Sequence, residues 1–199
     1  MNNPPLILAS QSPRRRILLK QIGLRFRVVP SNAPEIFRNT QSPAENAERV
    51  ALEKAVSIAE QRRLGLVIGA DTIVVIKGKI LGKPASARDA KCMLRTLSGK
   101  THTVLTGFAL VDASSKKRIT GVETTRVTFR RLSANEIDAY VASGSPMDKA
   151  GAYGIQDDYG AVFVEKVAGC FYNVVGFPLS RFFIEYQRFL AGLNHQRKR

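Results

Sequence analysis

Three places in the chain combine residue types that can do chemistry. The first is Ser10-Gln11-Ser12-Pro13-Arg14-Arg15-Arg16, where two hydroxyls and three consecutive arginines stand at the start of a helical pattern. A helix N-terminus offers unpaired backbone N–H groups and the positive end of its dipole, and both attract phosphate. Ser10, Ser12 and the guanidinium groups add charge-assisted donors. Cations at that end oppose the dipole when no anion is present, so three in succession favour an anion site over a solvated basic turn. The second place is Asp71, which stands between the apolar runs Leu66–Ala70 and Ile73–Ile76. As a structural residue it begins a turn or caps a strand end. As a functional one, a carboxylate at a sheet terminus binds a divalent ion or takes a proton from water. Glu35, in a polar loop, joins it as a second hard-cation ligand. Lys54 falls on the apolar face of a helix with Ala47, Val50, Ala51 and Ile58. A lysine there either snorkels past its neighbours or points into a site.

The third place is Asp148-Lys149-Ala150-Gly151-Ala152-Tyr153-Gly154-Ile155-Gln156, a glycine-punctuated segment whose terminal amide can read a base edge through paired hydrogen bonds. A solvated loop is the alternative reading. Lys83 lies in Gly82-Lys83-Pro84, which lacks the spacing of a Walker A loop and otherwise reads as a turn lysine. Histidine occurs only at 102 and 195, and no Gly-x-Ser-x-Gly elbow exists, so a Ser-His-Asp hydrolase would rest on His102 alone. His102 reads instead as a strand-start or supporting residue. Cys92 and Cys170, far apart, suggest neither a disulfide framework nor a zinc knuckle and read as packing residues of a reducing compartment.

These groups need elements to hold them. The pattern predicts a strand over Leu6–Ala9 and a helix capped by Ser12, opened by Pro13 and stopped by Gly23. A second strand over Phe26–Val29 precedes the Glu35 loop. Ser42-Pro43-Ala44-Glu45 is a capping-box start for a helix running to about Arg63. Leu66–Ala70 and Ile73–Ile76 read as strands, the latter entering a hairpin at Lys77-Gly78-Lys79. Ser86 and Ser133 cap two further helices, with strands around 103–111 and 119–129 between them. A last helix follows Pro178 and carries Phe182, Phe183, Tyr186, Phe189 and Leu190.

The 199 residues include 31 Lys or Arg and 16 Asp or Glu, giving a net charge of +15. With 44% hydrophobic and 24% charged residues, disorder over most of the length is excluded. No apolar run approaches the ~20 residues of a membrane span. The start Met1-Asn2-Asn3-Pro4-Pro5 lacks the cationic region of a signal peptide, so a cytoplasmic protein is expected. Residues 1–30 hold six Lys/Arg and residues 188–199 hold four, neither stretch with an acid, so ten of the fifteen net charges sit near the ends. The rival this raises is a basic nucleic-acid-binding module without catalytic activity, but no RNP-type aromatic pattern or helix-turn-helix signal accompanies the charge.

Together, Ser10-Gln11-Ser12-Pro13-Arg14-Arg15, Gly69-Ala70-Asp71-Thr72, Gly82-Lys83-Pro84, Ser98-Gly99 with His102, Asp148–Gln156 and Asn173-Val174-Val175-Gly176 closely resemble the Maf family of nucleoside triphosphate pyrophosphatases, in the family's order over about residues 6–190. The resemblance implies one Maf-like domain over residues 1–199, with a basic tail from about 191. Its fold would be α/β and inosine triphosphatase-like, a long mixed sheet flanked by helices, with two lobes and a central cleft. The implied reaction hydrolyses a nucleotide between its α- and β-phosphates to the monophosphate and pyrophosphate. Ala70-Asp71-Thr72 with Gly154-Ile155-Gln156 is similar to the branch acting on dTTP and UTP, with modified pyrimidine nucleotides as further substrates. By motif position Asp71 is the proton acceptor, and Ser10, Arg15, Lys54 and Lys83 hold phosphates. Glu35 and Asp71 place a divalent cation, Mg²⁺ or Mn²⁺, while Arg14, Thr72 and Gln156 tune base choice. A homodimer is expected, with neither a stable nucleic-acid partner nor a membrane.

Overall fold

The computed structural model describes residues 4–156 and 158–196. Along the chain run β1 (Leu6–Leu8), α1 (Pro13–Gln21), β2 (Phe26–Val28), α2 (Pro43–Ala59), β3 (Leu66–Ile76), β4 (Lys79–Leu81) and α3 (Ala87–Leu97). They are followed by β5 (Thr101–Asp112), β6 (Arg118–Phe129), α4 (Ala134–Ala142), three short 3-10 turns, β7 (Val164–Ala168), α5 (Phe171–Val175) and α6 (Leu179–Gln196). The fold is α/β. Among the described residues a seven-stranded mixed sheet has the order β2-β1-β3-β5-β6-β7, with β4 paired to β3. β1 lies parallel to β2 and β3, whereas β4 runs antiparallel to β3 and β7 to β6. Leu6, Ile7 and Leu8 are all buried, as a parallel strand covered on both faces requires.

The serine caps form as their local chemistry dictates. Ser42 and Ser133 each close a capping box with the glutamate three residues on, and Ser12 and Ser86 accept from the third backbone N–H of their helices. Two expectations need correction. α2 stops at Ala59, short of Arg63, because residues 60–64 are all exposed and offer no apolar face to bury. There the N–H groups of Gln61 and Arg62 turn back to the carbonyls of Ile58 and Ala59, tightening the end into a 3-10 turn. β3 is continuous through Asp71 and Thr72, so Asp71 stands in mid-strand and not at a sheet terminus. The hairpin itself is present. Lys77 (φ 48°) and Gly78 (φ 76°) both lie in the left-handed region that a two-residue turn of matching twist demands.

The chain divides into two compact units. One comprises the described residues of Met1–Asp71, Thr106–Glu123 and Gly176–Arg199, the other Thr72–Leu105 and Thr124–Val175. In the first, Ala47, Ala51, Ala55 and Ala59 recur at four-residue spacing along α2, and all are fully or nearly fully buried. They meet strand glycines. A Cβ on Gly69 would fall 2.0 Å from the Ala51 carbonyl oxygen, and one on Gly107 would fall 2.2 Å from that of Ala47. Helix and sheet therefore touch backbone to backbone. On α6, Phe182, Tyr186 and Leu190 are core, with Phe182 set edge-on to Phe108 and Phe177, while Phe183 and Ile184 are exposed. α6 continues to Gln196, so 191–196 of the expected tail is helical, and residues 197–199 lie outside the described residues. No described helix is long and apolar enough to cross a membrane.

In the second unit the core is aromatic. Phe129 lies edge-on to Tyr153 and Phe163, and Tyr140 packs on Phe163. His102, 2% exposed, is enclosed here, and burial lowers its pKa from 6.5 to about 4.

Gly69→Ala should destabilise the protein by about 3 kcal/mol, since neither backbone can yield, and lower Tm by roughly 6–12 °C. Gly192→Ala, whose Cβ would meet nothing within 4 Å in α6, should raise stability by about 0.5–1 kcal/mol; equal effects in a melting assay would contradict the close-contact account. His102 supplies a second test. Between pH 6.5 and 4 the unfolded chain binds a proton that the native ring refuses, so stability is lost as pH falls through that window. The slope should be at most about 1.4 kcal/mol per pH unit, and the total about 3 kcal/mol. His102→Gln should flatten that part of a chemical-denaturation profile.

Candidate active site

The glycine contact sets the site. Gly69 and Asp71 are two residues apart on β3 and share one face of the strand, the face on which α2 lies. Lys54 stands on α2 between Ala51 and Ala55, the residues nearest Gly69. With the backbones in contact, its ammonium group reaches Asp71 and donates to Oδ1 at 2.6 Å and to Glu35 Oε1 at 2.8 Å. Asp71 is 4% exposed and Lys54 7%. Glu35 is solvent-exposed. Asp71 Oδ2 is buried and has no hydrogen-bond partner. Burial raises the Asp71 pKa above its ordinary value, against the pull of Lys54 and Arg15 and with some help from Glu35. A carboxylate held this way is a stronger base than a solvated one.

Arg15, in the first turn of α1, is also buried. Its Nε donates to the Gly176 carbonyl at 3.0 Å, and its Nη1 donates to Ser10 Oγ at 3.1 Å and to the Ala70 carbonyl at 2.9 Å. Burial lowers its pKa, opposed by the charges of Asp71 and Glu35. Ser10 Oγ also accepts from the Ser12 N–H at 3.2 Å. Arg14, half-buried beside it, is close enough for its charge to act on Arg15. The first unit thus gathers Ser10, Arg15, Glu35, Lys54 and Asp71.

The loop carrying Glu35 hangs on α2 through residues that no sequence motif marks. Asn46, 1% exposed, accepts from the Arg38 N–H at 2.7 Å and donates to the carbonyls of Arg38, Gln41 and Ser42. Arg49 donates to the Ile36 carbonyl and to Gln41 Oε1, and Ser31 bonds Ser57 at 2.8 Å. The available signal was an asparagine on the inner face of a helix's first turn, where nothing apolar was gained by burying it.

The second unit carries the other expected residues. Thr72 is half-buried in β3, Lys83 is exposed just after β4, and Gln156 is exposed beyond the 3-10 turn Ala150–Ala152. The Gly151 N–H donates to the Gly82 carbonyl at 3.0 Å, so the segment leading to Gln156 is tied to the one bearing Lys83. Among the described residues no group of three or more His, Cys, Asp or Glu could hold a metal ion. A carboxylate pair, Glu35 and Asp71, with one buried oxygen unpartnered, suits a hard cation that takes its remaining ligands from phosphate and water.

The sequence model of the family described as Maf-like protein matches residues 5–189. The chain belongs to the Maf-like protein family. Among curated relatives, a protein of Pelotomaculum thermopropionicum named dTTP/UTP pyrophosphatase is 50% identical over 88% of this chain and 92% of its own. A Bacillus cytotoxicus protein of the same name is 48% identical over 95% of this chain and 97% of its own. Among solved structures, a nucleoside-triphosphatase / dITP/XTP pyrophosphatase from Mycobacterium abscessus aligns with 65% of this chain and 76% of its own, at 16% identity and a TM-score of 0.39.

In this Maf-like chain Asn46→Ala should release the Glu35 loop while leaving the core intact. A loss of about 2 kcal/mol in local stability should cut protection of the Arg38 amide in hydrogen exchange by about thirtyfold. Unchanged protection would show that Asn46 does not hold the loop.

Proposed function

We propose that this protein is a nucleoside triphosphate pyrophosphatase that hydrolyses dTTP and UTP to the monophosphate and pyrophosphate. The observation that carries the chemistry is the buried Asp71 carboxylate, one oxygen held by Lys54 and the other without a partner. The substrate class follows the relatives' names and the Gln156 amide, which can donate and accept along one edge of a uracil or thymine ring.

Asp71 Oδ2 accepts a proton from the attacking water. The water oxygen bonds to phosphorus, the bridge between the α- and β-phosphates breaks, and pyrophosphate leaves with the electron pair of that bond. Raising the pKa of Asp71 by burial strengthens it for this step. Lys54 moves from carboxylates to phosphate oxygens when the polyanion arrives, and Lys83 adds a second ammonium group. Ser10 supplies a hydroxyl, and the N-terminus of α1 the positive end of its dipole. Arg15 contributes its positive charge while its Nε and Nη1 hold the Ser10 hydroxyl and the Gly176 and Ala70 carbonyls. Glu35 and Asp71 would hold a divalent cation, Mg²⁺ or Mn²⁺. Such an ion would neutralise charge on the polyphosphate and its leaving group. Arg14, Thr72 and Gln156 are assigned to base choice.

A panel of canonical and modified triphosphates, assayed with Mg²⁺, Mn²⁺ and chelator, tests the reading. Pyrophosphate release should be fastest from dTTP, UTP and modified pyrimidine nucleotides, and chelator should stop it. Release from none of them would exclude the activity. Asp71→Asn should keep nucleotide binding and lose at least about a hundredfold in turnover. Near-normal turnover would remove Asp71 from the mechanism.

A further inference from the structure

The proposed reaction makes no use of a polar contact buried in the aromatic core of the second unit. His102 Nε2 and the Tyr153 hydroxyl share a hydrogen bond of 2.8 Å. Their rings meet edge-on, 5.4 Å between centroids, and Phe129 lies edge-on to both at 5.0 and 4.7 Å. Burial keeps the imidazole neutral, with a pKa of about 4, and raises that of the Tyr153 phenol, so the bond joins two uncharged groups. A packed core gains little from such a pair compared with two apolar side chains of the same shape. The pair does confer a fixed orientation.

What it orients is the segment ending in Gln156, three residues beyond Tyr153. That segment is held at successive points. Gly151 adopts φ 70° and comes so close to β3 that a Cβ would lie 2.9 Å from Val74 Cγ2. Its N–H is bonded to Gly82. Ala152 is left-handed at φ 61°. The Gly154 N–H donates to the Tyr140 hydroxyl at 3.3 Å. Tyr153 is the one side chain of this run that reaches into the core to end on a polar partner.

Base reading by an amide makes such fixation necessary. A glutamine presents a donor and an acceptor, and a half-turn about its last torsion exchanges them. A loosely held glutamine therefore satisfies the acceptor–donor edge of uracil and the donor–acceptor edge of cytosine equally well. Discrimination requires that the amide be held at one position and angle against the base edge, and a fixed backbone limits the positions from which it can turn.

Resting on the assignment of Gln156 to the base, we propose that His102 and Tyr153 are positioning residues for specificity, their hydrogen bond fixing the backbone that presents Gln156 and so setting selection of thymine and uracil over cytosine. Tyr153→Phe removes one oxygen and leaves the ring packing in place. It should lower the ratio of kcat/KM for dTTP over dCTP by about tenfold, mainly through KM for dTTP, with kcat at saturating dTTP within about twofold of wild type. His102→Leu, which cannot hydrogen-bond Tyr153, should reproduce the effect. In a Gln156→Ala background, where the ratio has already collapsed, adding Tyr153→Phe should change it by less than about twofold.

An equal loss for dTTP and dCTP, an unchanged ratio in Tyr153→Phe, or independent effects in the double variant would overturn the positioning role. If the ratio collapses in Gln156→Ala but survives in Tyr153→Phe, only the positioning role falls. If it survives in Gln156→Ala, the base assignment falls and the positioning role with it.

Discussion

The distance between one helix and one strand governs the geometry of the charged cluster in this protein. Lysine is long and flexible, and an ammonium group that enters a buried site must arrive with its charge already answered. Here the alanine row of α2 lies directly on Gly69 and Gly107, so the Lys54 stem need span little more than one side-chain layer to set its nitrogen between Asp71 and Glu35. A methyl group at either glycine would push helix from strand and take the cation with it. The same contact places Asn46 and Arg49 under the Glu35 loop, because both lie on the first turns of that helix. Acid, base and loop are thus registered to a single backbone interface.

That interface also explains how the cluster tolerates its own charges. Lys54 serves two carboxylates at once, and Arg15 is surrounded by carbonyl oxygens and the Ser10 hydroxyl. Each buried charge has hydrogen-bonding company, the condition under which burial does not simply cost stability. The net charge of +15 is a poor guide to this arrangement. Most of the excess lies near the chain ends, whereas the site depends on a few cations whose neighbours, more than their number, fix what they can bind.

What could be read from the sequence was local. Ser12, Ser42, Ser86 and Ser133 announce their helices because capping is decided within four residues. The Lys77-Gly78 turn is equally self-contained. The residue types of the site were legible too, since an aspartate between apolar runs and a lysine on an apolar helix face are conspicuous where they stand. Their pairing was not, because nothing near Asp71 says that Lys54 will reach it; that follows from glycines on one element meeting alanines on another. β3 runs unbroken through Asp71 for a related reason. A carboxylate interrupts a hydrophobic pattern without interrupting a strand when a cation from a distant helix answers it. His102 and Tyr153 illustrate the same limit, and so does β7, whose Val164–Ala168 pattern is half-exposed and finds its partner only in β6.

Arg15 joins residues that are far apart in the chain, bonding Gly176 across 161 positions while touching Ser10 and Ala70. Contacts of that separation form late, after the loop they close has lost its freedom. During synthesis the N-terminal segment must therefore wait, the Arg15 guanidinium still solvated, until Gly176 has left the ribosome. The growing polypeptide has Ser10 and Arg15 early and acquires their arrangement only after Gly176 has been added.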